Sequence, residues 1–346
     1  MWWKSAAATV AALATTLTFV STASANPPHV GAAHVAVSLA DPEFRAATDS
    51  AGTIHGFADT APTDNGARLT YFRTAKSGTA SRPSPYVGHV LDVAWDGSDA
   101  TYVVYSHGTT LAIAVHHDAT ATFSAPTVLS SSYSFGGATV VASQGKWWVV
   151  WSESEGSHRA LFERHTLLGS GERTHAVSTP AGQSDADPSM TYSGGKATLV
   201  FIRRSATRLY PATVELGTGT GGLFSTSTFF VAEDNVSPDV AVAGNHTYVA
   251  WESDNRIWEK DNVTGSWVLH QFATAGINAS VALGTSHPYL AWTTLSERAF
   301  FADRSGGTWS GATITGVGGY DAQVLATGST FAVVYATGSD VRVRFS

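Results

Sequence analysis

The 346-residue sequence contains no cysteine, only 2 methionines, and just 14% charged residues. Without cysteine there is no disulfide framework and no thiolate metal site, so a folded chain must be held by core packing. No run of Lys and Arg stands out, and the formal net charge is −7. That balance excludes a polyanionic partner such as nucleic acid, because binding phosphates needs clustered cations. After residue 25 no segment approaches the roughly 20 apolar residues of a helical membrane span. No His, Asp and Glu spacing resembles a zinc motif, and neither metal nor cofactor is expected.

What is present is glycine (33), with 16 Phe, 11 Tyr and 11 Trp, set among abundant Ser and Thr. This is a composition of strands and turns rather than of helices or disordered chain. The N-terminus reads differently. Lys4 precedes the uncharged stretch Ala6 to Val20, and Ala23-Ser24-Ala25 offers small residues to a signal peptidase. This pattern predicts a bacterial export signal over 1–25, cleaved near Ala25, and an extracellular single domain over 26–346.

That domain repeats. Val236 to Trp251 and Ile277 to Trp292 follow one template: a polar start, an apolar run, a Gly/Ser/Asn turn, and alternation that ends on an aromatic. Tyr320–Tyr335 and Ala186–Phe201 match it, while units ending at Phe57, Tyr105 and Trp151 need small adjustments. The closing aromatics are about 46 residues apart, and seven such units account for 26–346. Third and fourth strands are legible after several of the aromatics, for example Arg256-Ile257-Trp258 and the stretch ending at Trp267. Units of four strands and this length are blades. The expectation is an all-β, seven-bladed β-propeller of four-stranded antiparallel blades, with six blades as the alternative. The last unit ends after three strands, so the alternating residues His34 to Leu39 are expected to supply its fourth strand and close the ring.

In an up-and-down blade the polar strand starts and the loops after the closing aromatics share one face. Candidate ligand-binding residues at this channel mouth are Asp92, Asp187, Asp239, Asn278 and Asp321. Candidate catalytic residues are Arg45, Asp59, Asp64, His107, His158 and Arg203, which offer the acid, base and carboxylate-binding groups of sugar chemistry. Such polar residues also cap turns or solvate strand ends. Arg recurs at the head of the third strand (Arg68, Arg159, Arg208, Arg256, Arg298) with an aromatic shortly after. That repetition suits a multivalent lectin or a structural contact between blades.

Two segments carry a family likeness. Asp303-Arg-Ser-Gly-Gly-Thr-Trp309 looks like a degenerate Asp-box, and Phe44-Arg45 followed by Asp59 and Asp64 is similar to the Arg strand and acidic loop of sialidases. The chain thus resembles the sialidase-like β-propeller superfamily. The resemblance implies that Arg45 grips a substrate carboxylate and that a loop Asp acts as general acid. Ala46-Ala47 replace the family's Ile-Pro, and no other unit carries Arg at the position of Arg45, which argues against classical sialidase activity. The expected function is recognition or processing of extracellular polysaccharide or other glycan. Processing would be that of a glycoside hydrolase or a polysaccharide lyase; a multivalent lectin with repeated sites between blades and a non-catalytic extracellular interaction scaffold are the alternatives.

Overall fold

The computed structural model describes residues 17–20, 30–60, 67–132, 134–167, 171–207, 212–220, 223–232, 235–285, 287–305, 307–316 and 318–346. Among these every regular element is a β-strand. Most of the expected leader lies outside the described residues; Leu17–Val20 forms a short strand parallel to Leu269–Phe272.

Three sheets have four strands each, paired in an antiparallel meander. One runs through Gln183–Ser193, Lys196–Ser205, Ala212–Gly219 and Ser225–Ala232. Two longer sheets each contain one long strand that serves two meanders. Gly78–Trp95 pairs through Gly78–Gly88 with the strand before it and through His89–Trp95 with the strand after it. Val268–Leu283 does the same, with the changeover at Ala275 and Gly276. Gly276 is required there, because a Cβ would lie 2.1 Å from Cδ1 of the Trp292 indole.

The C-terminal meander, Tyr320–Thr327, Thr330–Ala336 and Asp340–Phe345, gains its fourth strand from Ala33–Ser38. Val37 pairs with Val341 and Ala33 with Arg344, although these residues are some three hundred positions apart in the chain.

The sheets pack face to face, and each core is shared by two consecutive meanders. Trp251 packs with Val200 and Val214, and Trp292 with Ala241 and Tyr248. One core joins the chain's two ends: Phe44, Ile54 and Phe72 pack against Val334, Val341 and Phe345. All seven closing aromatics are buried, and Phe57, Trp151, Phe201, Trp251 and Trp292 have no exposed surface. Their strands are buried on both faces (Pro288–Thr294 throughout), which is why their sequence loses its polar alternation.

Candidate functional site

The starts of the inner strands converge on a central cavity of about 620 Å³, lined by Glu43, Arg45, Asp92, Asp187, Asp239 and Asp321 among others. A repeated backbone irregularity builds it. Register shifts fall between Ala186 and Ser189, Val236 and Asp239, Ile277 and Ser280, and Tyr320 and Gln323. Inside each bulge one residue takes a left-handed backbone: Asp187 (φ 51°), Ser237 (48°), Asn278 (54°) and Asp321 (49°). Asp and Asn tolerate this conformation better than other residues with a Cβ, and a bulge re-aims its side chain. All four line the cavity.

Two residues further on, the polar side chains reach sideways to the neighbouring meander. Asp92 Oδ2 accepts the Val140 N–H at 2.7 Å, and Thr139 Oγ1 accepts the Met190 N–H at 3.2 Å. Asp239 Oδ2 accepts from Val281 N (2.8 Å), Ser280 Oγ from Val324 N (3.2 Å), and Gln323 Oε1 from Ala46 N (3.2 Å). The Ser189 hydroxyl donates to Asp239 Oδ1 at 2.7 Å. Asp92 and Asp239, expected to bind ligand, are therefore partly committed to holding the inner strands together. Burial pushes Asp92 up to about 6, against the hydrogen bonds it accepts from Val140 and Val93, and raises Asp239 likewise.

Arg45 reaches the cavity but is already paired: Nη1 lies 2.8 Å from Asp321 Oδ2. Asp321 is the main reason its pKa is raised further. Five lining carboxylates (Glu43, Asp92, Asp187, Asp239, Asp321) face this single guanidinium, so the cavity's field is negative.

The other sequence candidates land elsewhere. Asp59 is fully buried behind the wall, where Val90 N–H donates to its Oδ2 at 2.8 Å, and burial pushes it up to about 6. Arg203 is locked in a bidentate pair with buried Asp185 (2.7 and 2.9 Å) and lines neither the central cavity nor the groove beside it. Its high pKa fits that pairing, which outweighs the cost of burial. His107 is exposed on a hairpin turn and does not reach the cavity. Asp64 lies outside the described residues, as does Arg208. His158 sits with Arg159 and Arg204 in a side groove of about 660 Å³ between neighbouring sheets, which shares Gly136 and Asp187 with the central cavity. Arg204 Nη2 is 3.6 Å from Asp187 Oδ2, and these two arginines oppose the upward shift that burial gives Asp187. Of the repeated arginines, Arg159 is half-buried while Arg68, Arg256 and Arg298 are exposed, so they do not form equivalent sites.

The Asp-box-like turn is a clamp far from the cavity. Asp303 accepts from Ser305 within the turn, Arg304 pairs with Asp261 of the neighbouring meander, and the Trp309 indole N–H donates to Glu259 at 3.3 Å. Glu43, His89 and the Gly136-Gly137 wall were not singled out from the sequence as site residues; Glu43 sits at the same template position as Asp187, which is the signal that pointed to it.

No protein-family model and no curated protein matches the chain. Solved structures do. An α-L-arabinanase of Penicillium chrysogenum complexed with arabinobiose aligns with a TM-score of 0.54 at 11% identity, over 83% of this chain and 99% of that one. The α-L-arabinofuranosidase of Fusarium graminearum with arabinobiose gives 0.54 at 10% identity, over 91% and 98%. The Aleuria aurantia lectin in complex with Fucα1-6GlcNAc gives 0.52 at 13%, over 80% and 96%. The chain has the β-propeller fold. At these identities the likeness concerns fold alone, and it does not single out the sialidase-like branch.

Proposed function

We propose that this is an exported, seven-bladed β-propeller, closed by its N-terminal strand, that recognises neutral carbohydrate in its central cavity. The observation that carries the reading is the cavity's chemistry. Its lining supplies carboxylates, hydroxyls and the amides of Asn278 and Gln323 that accept hydrogen bonds from sugar hydroxyls, together with Phe135 and the rings of Pro188 and Pro238 as apolar surface. Its negative field and its single, already paired arginine disfavour uronates, sialic acids and other anions. The neighbours of like fold include proteins holding arabinobiose and a fucosylated disaccharide, which supports a glycan ligand. Closure is supported by the core and strand pairing shared by the chain's ends and by the hydrogen bond from Ala46 N–H to Gln323, and the count of seven by the three single and two double meanders among the described residues.

Recognition is favoured over hydrolysis or lyase chemistry by Asp59 and Arg45. Of the two acids the sialidase resemblance offers, Asp59 is fully buried and Asp64 lies outside the described residues, and the Arg of that resemblance is held by Asp321. A glycan array spanning neutral and acidic polysaccharides, run beside arabinan-hydrolysis and uronate-lyase assays, tests the reading. Neutral glycans are expected to bind; a preference for acidic glycans overturns the proposal, and a blank in all three assays leaves the interaction scaffold.

A further inference from the structure

Glu43, Asp59 and His89 come from three different strands, and no spacing in the sequence announces them. Glu43 and Asp59 are directly paired across neighbouring strands, and His89 begins the inner half of the long strand beside them. The fold brings one donor atom from each within 4.8 Å of the others. Glu43 and His89 line the central cavity, while Asp59 lies behind them with no exposed surface.

The decisive feature is how Asp59 is held. Its Oδ2 accepts the Val90 N–H at 2.8 Å, which fixes the carboxylate plane and leaves Oδ1 directed at the His89 ring. Oδ1 has no hydrogen-bond partner, and neither does the buried His89 Nδ1 that faces it at 3.7 Å. That separation is too long for a hydrogen bond. It does suit two ligands of one ion, since donors about 2.1 Å from a metal lie roughly 3–4 Å from each other. An unpaired carboxylate oxygen in a fully buried position is costly, and a neighbouring carboxylate raises the cost. A cation removes both penalties.

A second cluster of the same composition shows the contrast. Glu259, Asp261 and His270 also converge, but all three are buried and Arg304 already sits on Asp261 Oδ2. There the counter-charge is a guanidinium of the chain itself. No guanidinium takes that place beside Asp59 among the described residues, because Arg45 is turned to Asp321.

We propose that Glu43, Asp59 and His89 form a divalent-cation site in the wall of the central cavity. One imidazole with two carboxylates suits the borderline ion Zn²⁺, and the harder Mn²⁺ less strongly, over Ca²⁺ or Mg²⁺, which take oxygen ligands. Three protein ligands beside an open cavity leave coordination positions for water or ligand oxygens. The site stands whether or not the cavity binds sugar.

The test is calorimetric titration of the chelator-stripped, full-length exported protein with ZnCl₂, MnCl₂ and CaCl₂ separately, alongside thermal unfolding with each ion. The expected result is one saturable equivalent of Zn²⁺ or Mn²⁺ that raises Tm, with Ca²⁺ weaker. Asp59→Asn keeps the bond from Val90 and should weaken ion binding by about 100-fold or more. His89→Ala, at a partly exposed position, should do the same and carries the test if the first variant does not fold. The proposal is overturned if neither transition ion saturates, if Ca²⁺ is preferred, or if Zn²⁺ binding survives in a folded variant, as it would on surface histidines.

Discussion

Arg45 and Asp321 stand 276 positions apart in the chain, yet their side chains meet at 2.8 Å across the mouth of the central cavity. This contact joins the first inner strand to the last and consumes the charge that a sialidase-like reading assigns to substrate. Any ligand carboxylate must compete with Asp321 for the same guanidinium.

Asp321→Asn therefore shifts selectivity without much loss of stability. The pair is partly solvated, so the cost of breaking it is about 1 kcal/mol or less. On a glycan array the variant should gain acidic ligands relative to wild type. An unchanged profile would show that Arg45 does not set the sign of the site.

Asp92 is expected to be structural. It accepts the backbone N–H groups of Val140 and Val93 and the hydroxyl of Thr139. Asp92→Ala leaves these donors without their partner and should cost about 2–3 kcal/mol in urea unfolding, with Asp92→Asn between the two. A loss below about 0.5 kcal/mol would mean the inter-strand hydrogen bonds are incidental.

Much of this architecture was legible because a blade leaves a local signature. The closing aromatics, the turns and the polar strand starts recur with the chain, and the segment expected beside the last strand, His34 to Leu39, overlaps Ala33–Ser38, which pairs with Asp340–Phe345. The chemistry was less legible because it depends on partners in other blades. Asp92 and Asp187 look alike in sequence; the first reaches sideways to Val140, while the second is turned by its bulge toward the cavity. Arg203 gave no sign that Asp185 would hold it, nor Asp59 that it would be sealed behind Glu43 and His89.

Glu163 makes stability depend on pH. It is fully buried, its Oε2 accepts the Trp148 indole N–H at 2.7 Å, and burial pushes it up to about 7 from 4.5. The folded state thus holds this proton more tightly than the unfolded state. Its contribution is most favourable below the unfolded value and is lost as pH rises from about 4.5 through 7. Relative to wild type, Glu163→Gln should gain about 2–3 kcal/mol between pH 4 and pH 8. A constant difference across that range would contradict the assignment.

The N-terminal strand should be indispensable. Ala36 and Val37 are buried, and Ala33–Ser38 covers the edge of Asp340–Phe345. Starting the chain at residue 39 should cost about 3–5 kcal/mol and expose an aggregating edge. The proposed export predicts the intact mass of a chain that begins at Asn26, which retains this strand. A truncated chain with wild-type stability and solubility would argue against closure of the ring.

Neutral sugar is proposed to bind in the cavity formed by the inner strands. Calorimetric titration of arabinobiose, and of the strongest neutral ligand from the array, tests it on wild type and on Asp187→Gly with Asn278→Gly. Glycine suits the left-handed backbone at both positions, so these changes remove side chains without straining the bulges. At least one of these sugars should bind saturably, weaken at least about tenfold in the double variant, about 1.4 kcal/mol, and be unaffected by Arg256→Ala at the head of a third strand. Binding that survives the double variant, or that is lost with Arg256→Ala instead, would contradict binding in the cavity.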